Sequence, residues 1–274
     1  MTGGDTGDYI RRFCLGYQIR ILRKYNQELL VKLVCEGPGR REGLFTPVNS
    51  SENSRVFYFE WQGKGFYLKQ YLRRNWLEYL KEIFRGSRSE RTRKNHAMLA
   101  QYGFAAPCIV MTGWNGDIDF AVSESIASFL NLRRYVEKLG RELPAAEFCH
   151  RKKQLTRDLG HTVGSLHQKR ISHGDLRWGN IHVDDTEEDR FRFWFIDNER
   201  TIRHVFPAQR IRVKNLVQLN IIPHHLASGR DCYRFFHAYL EENPGDLSHK
   251  HQLSQKIIQK TRLRLQQKQK GTSR

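Results

Sequence analysis

The chain has 274 residues, enough for one large domain or two modest lobes with a real core. At 39% hydrophobic residues it is too apolar for a disordered chain, and no run approaches the ~18 uninterrupted apolar residues of a transmembrane helix. Forty-seven Lys and Arg against 29 Asp and Glu give a net charge of +18. That excess draws the chain to polyanions (nucleic acid, nucleotide phosphates or an anionic membrane) unless it only solubilises the surface.

The cysteines, Cys14, Cys35, Cys108, Cys149 and Cys232, are scattered without a CxxC pair, as in a protein kept reduced. The start MTGGDTGDYI is Gly-rich and acidic and lacks the basic-then-apolar order of a signal peptide. Both point to a cytoplasmic protein that could still lie on a membrane.

In chain order, residues 9 to 34 fit helix or strand equally well, being dense in Arg, Leu, Ile and Tyr. EGPGRREG and PVNSSENS are turn-rich. RVFYFEW and FYLKQY then flank a short Gly turn and predict an antiparallel hairpin, with Lys69 inside its second strand. By itself Lys69 reads either as a strand charge facing solvent or as a buried, working cation. Helical patterns follow in NWLEYLKEIF and in SERTRKNHAMLAQYG, which stops at Gly103. APCIVMTGWNGDIDFAVSES predicts two strands across the Asn115-Gly116 turn. IASFLNLRRYVEKLG and RKKQLTRDLGHTVGSLHQKR are amphipathic helices. After the loop ISHGDLRWGN comes a hairpin, NIHV…FRFWFID, and from about Arg210 the chain is helical and basic. The order predicts an α+β fold of two lobes: a β-rich N-terminal lobe over residues 1–125 and a mainly helical C-terminal lobe over 126–274. Lys69 would line the cleft from one side, and Asp175, Asn180 and Asp197 from the other.

Those residue types suit phosphoryl transfer from ATP. That reaction asks for a Lys on the phosphates, hard oxygen ligands for Mg²⁺ and a carboxylate to orient the attacking hydroxyl. HGDLRWGN places Asp175 and Asn180 five apart, matching the kinase catalytic-loop pattern H-x-D-x-x-x-x-N. Asp175 is then the base and Asn180 a metal ligand. Asp197, ending the strand FWFI, is the second metal ligand, in the role of the kinase DFG aspartate. Glu90, on the helix after Lys69, is the candidate partner of that lysine in the ATP site, with Thr92 as the alternative. Glu199 either supplements the metal site or faces solvent. His173 packs to hold the loop rather than serving as base, because Asp175 has the place for proton transfer. His224-His225 and His249-x-His251 lack the other members of a metal set and read as surface residues.

The sequence resembles the lipopolysaccharide core kinases, which phosphorylate heptose or Kdo sugars and have a protein-kinase-like fold. The resemblance covers most of the chain. It is carried by GFYLKQYLRRNW, IFRGSRSERTRKNHAMLAQYGFAAP, LGHTVGSLHQKRISHGDLRWGNIHV, FWFIDNERT, RIRVKNLVQLN and RDCYRFFHAYL. It implies ATP and Mg²⁺ as cofactors and a lipopolysaccharide core glycolipid as acceptor. It also implies a peripheral position on the cytoplasmic face of the inner membrane. The chain departs from the protein-kinase pattern in three places. NSSENS has no glycine where a phosphate-covering loop would lie, Gly174 replaces the Arg of H-R-D, and IDNE replaces D-F-G.

The resemblance also gives the positive charge a use. Arg200 to Arg230 hold six Lys or Arg and no acid, and Ser248 to Arg274 hold eight and no acid. Residues 73 to 94 carry eight basic against three acidic side chains. Leu253, Ile257, Ile258 and Leu265 fall on one helical face of the tail, so a basic amphipathic helix would meet an anionic leaflet. Competing readings are another protein or small-molecule kinase of the same fold, and a non-catalytic pseudokinase that binds nucleotide or membrane. A nucleic-acid partner ranks last, since no motif that reads bases is present.

Overall fold

The computed structural model describes residues 8–41, 43–48, 50, 52–72, 86–126, 128–187, 190–206, 209–223 and 225–272. The chain divides into two compact units, Met1–Ala127 and Ser128–Arg274.

Among the described residues of the first unit, seven strands form one antiparallel sheet. They are β1 (Tyr9–Cys14), β2 (Tyr17–Leu22), β3 (Thr46–Val48), β4 (Ser54–Trp61), β5 (Lys64–Tyr71), β6 (Ile109–Trp114) and β7 (Asp119–Glu124), in the order β1-β2-β6-β7-β5-β4-β3. The segment that fitted helix or strand equally supplies both: the β1–β2 hairpin and then helix α1 (Glu28–Glu36). Alternation decides the strands. Tyr17, Ile19 and Ile21 point to one face and are buried there with Leu30, Val31 and Val34 of α1, and with Phe59, Phe66 and Leu68 of β4 and β5. The predicted hairpin around Gly63 is present, with Val56 opposite Lys69 and β7 pairing on the other side of β5. Helix α2 (Arg88–Gln101) begins at Ser87, whose side chain caps the Glu90 amide, and lies against β6 and β7. The helical pattern NWLEYLKEIF lies outside the described residues.

The second unit is mostly helical. Helix α3 spans Leu132–Glu142 and α4 spans Ala145–Gln168. The sequence pattern starts α3 earlier, at Ile126. Instead Asn131, with an extended backbone, caps the helix at the Arg134 amide, while the Leu130 carbonyl accepts from the Val183 amide. Next come β8 (Ile171–Ser172), the hairpin β9 (Ile181–Glu187) and β10 (Arg190–Phe195), and β11 (Ile202–Arg203), which pairs with β8. Helices α5 (Gln209–Leu219), α6 (Gly229–Glu242) and α7 (Lys250–Thr272) complete it. Leu155, Leu159, Val163, Leu166, Phe193, Phe195 and Tyr239 are buried in the core.

Helix α7 runs through the basic tail. Leu253 and Ile257 are buried, and Asn220 donates to the Thr261 hydroxyl. The face that the sequence offers to a membrane is therefore split: Leu253 and Ile257 are used in packing, while Ile258, Leu263 and Leu265 are exposed.

Two glycines let α6 approach α4. A Cβ on Gly160 would lie 2.5 Å from the Phe235 carbonyl oxygen, and one on Gly164 would lie 2.9 Å from that of Tyr239. Gly160→Ala is therefore expected to destabilise the protein by about 1–3 kcal/mol through overpacking. Gly140→Ala, on the exposed face of α3 where the new methyl meets only Phe148 at 3.7 Å, is expected to stabilise it by ~0.5–1 kcal/mol. Urea unfolding of both variants checks the opposite signs.

Candidate active site

The loop between β8 and β9 begins with a histidine that has no freedom. His173 is buried; its Nε2 donates to the Ile196 carbonyl at 3.0 Å, and its Nδ1 accepts the Asp175 backbone N–H at 3.0 Å. Burial pushes its pKa down. A neutral ring with both nitrogens committed is a clamp between the loop and the end of β10, not a base.

Asp175 is half-buried and held from several directions. Its Oδ1 accepts from Gln218 Nε2 at 3.1 Å, and its Oδ2 from Asn180 Nδ2 at 3.3 Å and from the exposed Arg177 guanidinium. Asn180 also donates to the Asp175 carbonyl at 2.9 Å. With its N–H groups spent, Asn180 keeps Oδ1 as an acceptor for a cation. The Ile196 amide donates to the Asn180 carbonyl at 3.0 Å, so the two strand ends are tied beside each other.

Asp197 follows Ile196 directly and is exposed. Its backbone is left-handed, φ 59° and ψ 45°, a conformation that Asp tolerates better than most residues but that carries strain. The next residue anchors it: Asn198 is fully buried and donates to the Phe195 carbonyl at 2.7 Å. Glu199, left open between metal and solvent, is only 8% exposed and does not face solvent. Gly174 stands where any side chain would collide, because a Cβ there would meet Arg200 Cβ at 2.1 Å and its carbonyl carbon at 2.8 Å.

Beneath the loop lies a polar cluster that no local spacing in the sequence ties to it. Asn215 and Gln218, one turn apart on α5, are both buried. Asn215 Oδ1 accepts from the His173 amide at 3.1 Å and from His167 Nε2 at 3.2 Å, and its Nδ2 donates to the His173 carbonyl and to Gln218 Oε1. Gln218 Oε1 also accepts the Leu176 amide at 3.2 Å. His167 is fully buried, with its pKa pushed down to about 3 by desolvation. The available signal was two carboxamides three apart inside VKNLVQL, on the face that also carries apolar residues.

The remaining candidates belong to the first unit. Lys69 is half-buried on β5, with its Nζ 5.4 Å from the centre of the Tyr71 ring. Glu90 departs from the expected pairing. Its carboxylate is held by Arg93 at 2.7 and 3.0 Å and faces Arg20 at 3.7 Å. The Ser87 cap places Glu90 in the first turn of α2, where an arginine three residues on is its nearest neighbour. Thr92 bonds the Tyr71 hydroxyl at 2.8 Å. His225, His249 and His251 are exposed, while His224 lies outside the described residues.

Asn180 and Asp197 offer an amide oxygen and a carboxylate, donors that suit Mg²⁺, whose remaining positions are normally filled by phosphate oxygens and water. Among the described residues no cluster of three His, Cys, Asp or Glu could hold a metal by itself.

The architecture matches a solved structure, WaaP in complex with acyl carrier protein, at a TM-score of 0.60 and 21% identity, covering 79% of this chain and 87% of that one. A structure of WbdD aligns at a TM-score of 0.48 and 15% identity over 78% of this chain and 50% of that one. No curated protein matches the sequence. The fold is protein-kinase-like, α+β with a β-rich N-terminal region and a mostly helical C-terminal region. The model of the lipopolysaccharide kinase (Kdo/WaaP) family matches residues 31–239, and the chain belongs to that family.

The two clamped histidines give a pH test. Both rings hold a proton less well folded than unfolded, where the ordinary value is 6.5. Their contribution to stability is therefore complete above that value and declines as pH falls below it, for His167 down to about 3. Urea midpoints should drop between about pH 7 and pH 5, and His167→Gln should flatten that slope.

Proposed function

We propose that the protein transfers the γ-phosphate of ATP to a heptose or Kdo hydroxyl of lipopolysaccharide core. The observation that carries this is the fixed carboxylate of Asp175, held by Gln218 and Asn180 beside the metal-type donors Asn180 and Asp197. Asp175 orients the acceptor hydroxyl and takes its proton as the hydroxyl oxygen bonds to the γ-phosphorus. The bond from that phosphorus to the bridging oxygen breaks, and ADP leaves. Asn180 and Asp197 would hold Mg²⁺, which when bound neutralises charge on the phosphates. Lys69 takes the α- and β-phosphates, the role that phosphoryl transfer asks of a strand lysine. Because Glu90 is engaged by arginines, the lysine's orientation does not depend on it.

The charge pattern supports a place on the anionic cytoplasmic face of the inner membrane. Val205 and Phe206 are 75% and 78% exposed in a segment carrying Arg200, Arg203 and Arg210. Apolar tips among cations suit a lipid headgroup layer. No described helix is long and apolar enough to cross a membrane.

A second association has its own observation. The solved WaaP structure contains acyl carrier protein. In this chain an apolar cavity of about 380 Å³ opens in the second unit between α4, α6 and α7, lined by Leu155, Leu159, Leu219, Phe235, Phe236 and Ile257. We infer that the chain binds acyl carrier protein and takes its acyl chain there.

In a transfer assay with Mg-ATP and lipopolysaccharide core, Asp175→Asn is expected to lose ~10²–10⁴-fold in rate. Gln218→Leu, which frees the carboxylate, should lower kcat by about 10²-fold while leaving KM for ATP near wild type. Wild-type rate in Asp175→Asn would overturn the mechanism. For the carrier, pull-down should retain acylated but not unacylated carrier protein, and Ala227→Trp, filling the cavity, should abolish the difference.

A further inference from the structure

The first unit carries a basic concavity whose lining includes none of Lys69, Asp175, Asn180 and Asp197. It lies over β1, β2 and β6 at the start of α2, encloses about 410 Å³ and is lined by Arg11, Phe13, Gln18, Arg20, Thr112 and Trp114. That volume is in the range of small-ligand sites. The register explains how one face collects these side chains. Arg11 lies directly opposite Arg20, Phe13 opposite Gln18, Arg20 opposite Thr112 and Gln18 opposite Trp114. With side chains alternating along each strand, all six share a face.

Two arginines directly opposite on antiparallel strands, with Cβ atoms roughly 5 Å apart, repel one another. Glu90, the carboxylate at the rim, is bonded by Arg93 and shared with Arg20 in an ion pair at 3.7 Å, which leaves 40% of the Arg20 side chain exposed. Arg11 makes no hydrogen bond or ion pair with any described residue, and neither does the Gln18 carboxamide. Charges that guard a sheet edge would explain Arg11 and Arg12 on the edge strand β1. They would not explain Arg20 on the inner strand β2, nor a concave wall ending in Phe13, 74% exposed.

We propose that this concavity is a binding site for a phosphorylated saccharide, with the Arg11 and Arg20 guanidinium groups bridging the phosphate. Planar forked donors on neighbouring strands suit the oxygens of one phosphate. The exposed Phe13 ring offers a face for the sugar's C–H surface, and Gln18 a donor and an acceptor for its hydroxyls. The identification of the saccharide with the glycolipid's own phosphorylated core rests on the proposed function; the anion site itself does not.

The test is a binding titration of the whole chain, followed by Trp fluorescence, with phosphorylated core oligosaccharide freed of lipid, the same oligosaccharide dephosphorylated, and inorganic phosphate. The phosphorylated oligosaccharide should bind at least tenfold more tightly than the dephosphorylated one. Arg11→Gln and Arg20→Gln should each lose about tenfold, and Arg11→Gln, which gives up no ion pair, should leave the thermal midpoint unchanged or raised because a repulsion is removed. Phe13→Ala should weaken the oligosaccharide but not inorganic phosphate, and Asp175→Asn should leave binding intact. Binding that ignores the Arg11 and Arg20 variants, or that vanishes only in Asp175→Asn, overturns this site even if phosphate transfer proceeds. Binding that follows those variants in a protein without transferase activity sustains the site and sinks the kinase reading instead.

Discussion

The geometry of the candidate site depends on two buried carboxamides. Asn215 and Gln218 reach from one face of α5 into the loop, and between them they bond His173 at both backbone groups, the Leu176 amide and the Asp175 carboxylate. Buried polar groups that are fully satisfied hold one arrangement, because every alternative leaves a donor or acceptor unpaired at a cost of ~1–3 kcal/mol. His173 extends the same constraint to β10, since its two ring nitrogens join the Asp175 amide to the Ile196 carbonyl. Asp175, Asn180 and Asp197 thus come from separate turns but share one scaffold.

That scaffold in turn depends on close packing. Gly160 and Gly164 allow α6 to lie against α4, and Tyr239 of α6 then receives His167 on one side and Arg212 of α5 on the other. Arg212 also bonds Asp246, so α5 is fixed from its polar side as well as through Leu216 and Val217. Gly174 belongs to the same economy of space. The arginine that many kinases carry at this position would occupy the volume taken by Arg200.

The net charge of +18 is spread over surfaces with different chemistry. Around Val205 and Phe206 and on the outer face of α7, cations border exposed apolar side chains. Around Arg11 and Arg20 they line a concavity instead. A flat amphipathic border suits a headgroup layer, and a concave one suits a discrete anion. In the functions proposed, the same residue types would serve different partners according to the shape beneath them.

Much of the fold was legible in the sequence because it is written in local patterns. Runs of β-forming residues across short turns marked the β4–β5 and β9–β10 hairpins, and Asn115-Gly116 marked the turn between β6 and β7. The spacing of Asp175 and Asn180, and the strand that ends before Asp197, singled out the loop. Residues 9–34 were ambiguous because their apolar side chains fit either period; pairing with β6 and cover by α1 selected the alternation of Tyr17, Ile19 and Ile21. Local spacing likewise suggested Glu90 for Lys69, but a carboxylate pairs with the cations that tertiary packing brings nearest, here Arg93 and Arg20. The tail's apolar stripe was visible, but how much of it α7 would bury was not. The sequence by itself determined which residues are chemically able to act. The tertiary structure decided which of them are held, because hydrogen bonds between Asn215 and His173, or Gln218 and Asp175, span 42 and 43 positions that no local pattern records.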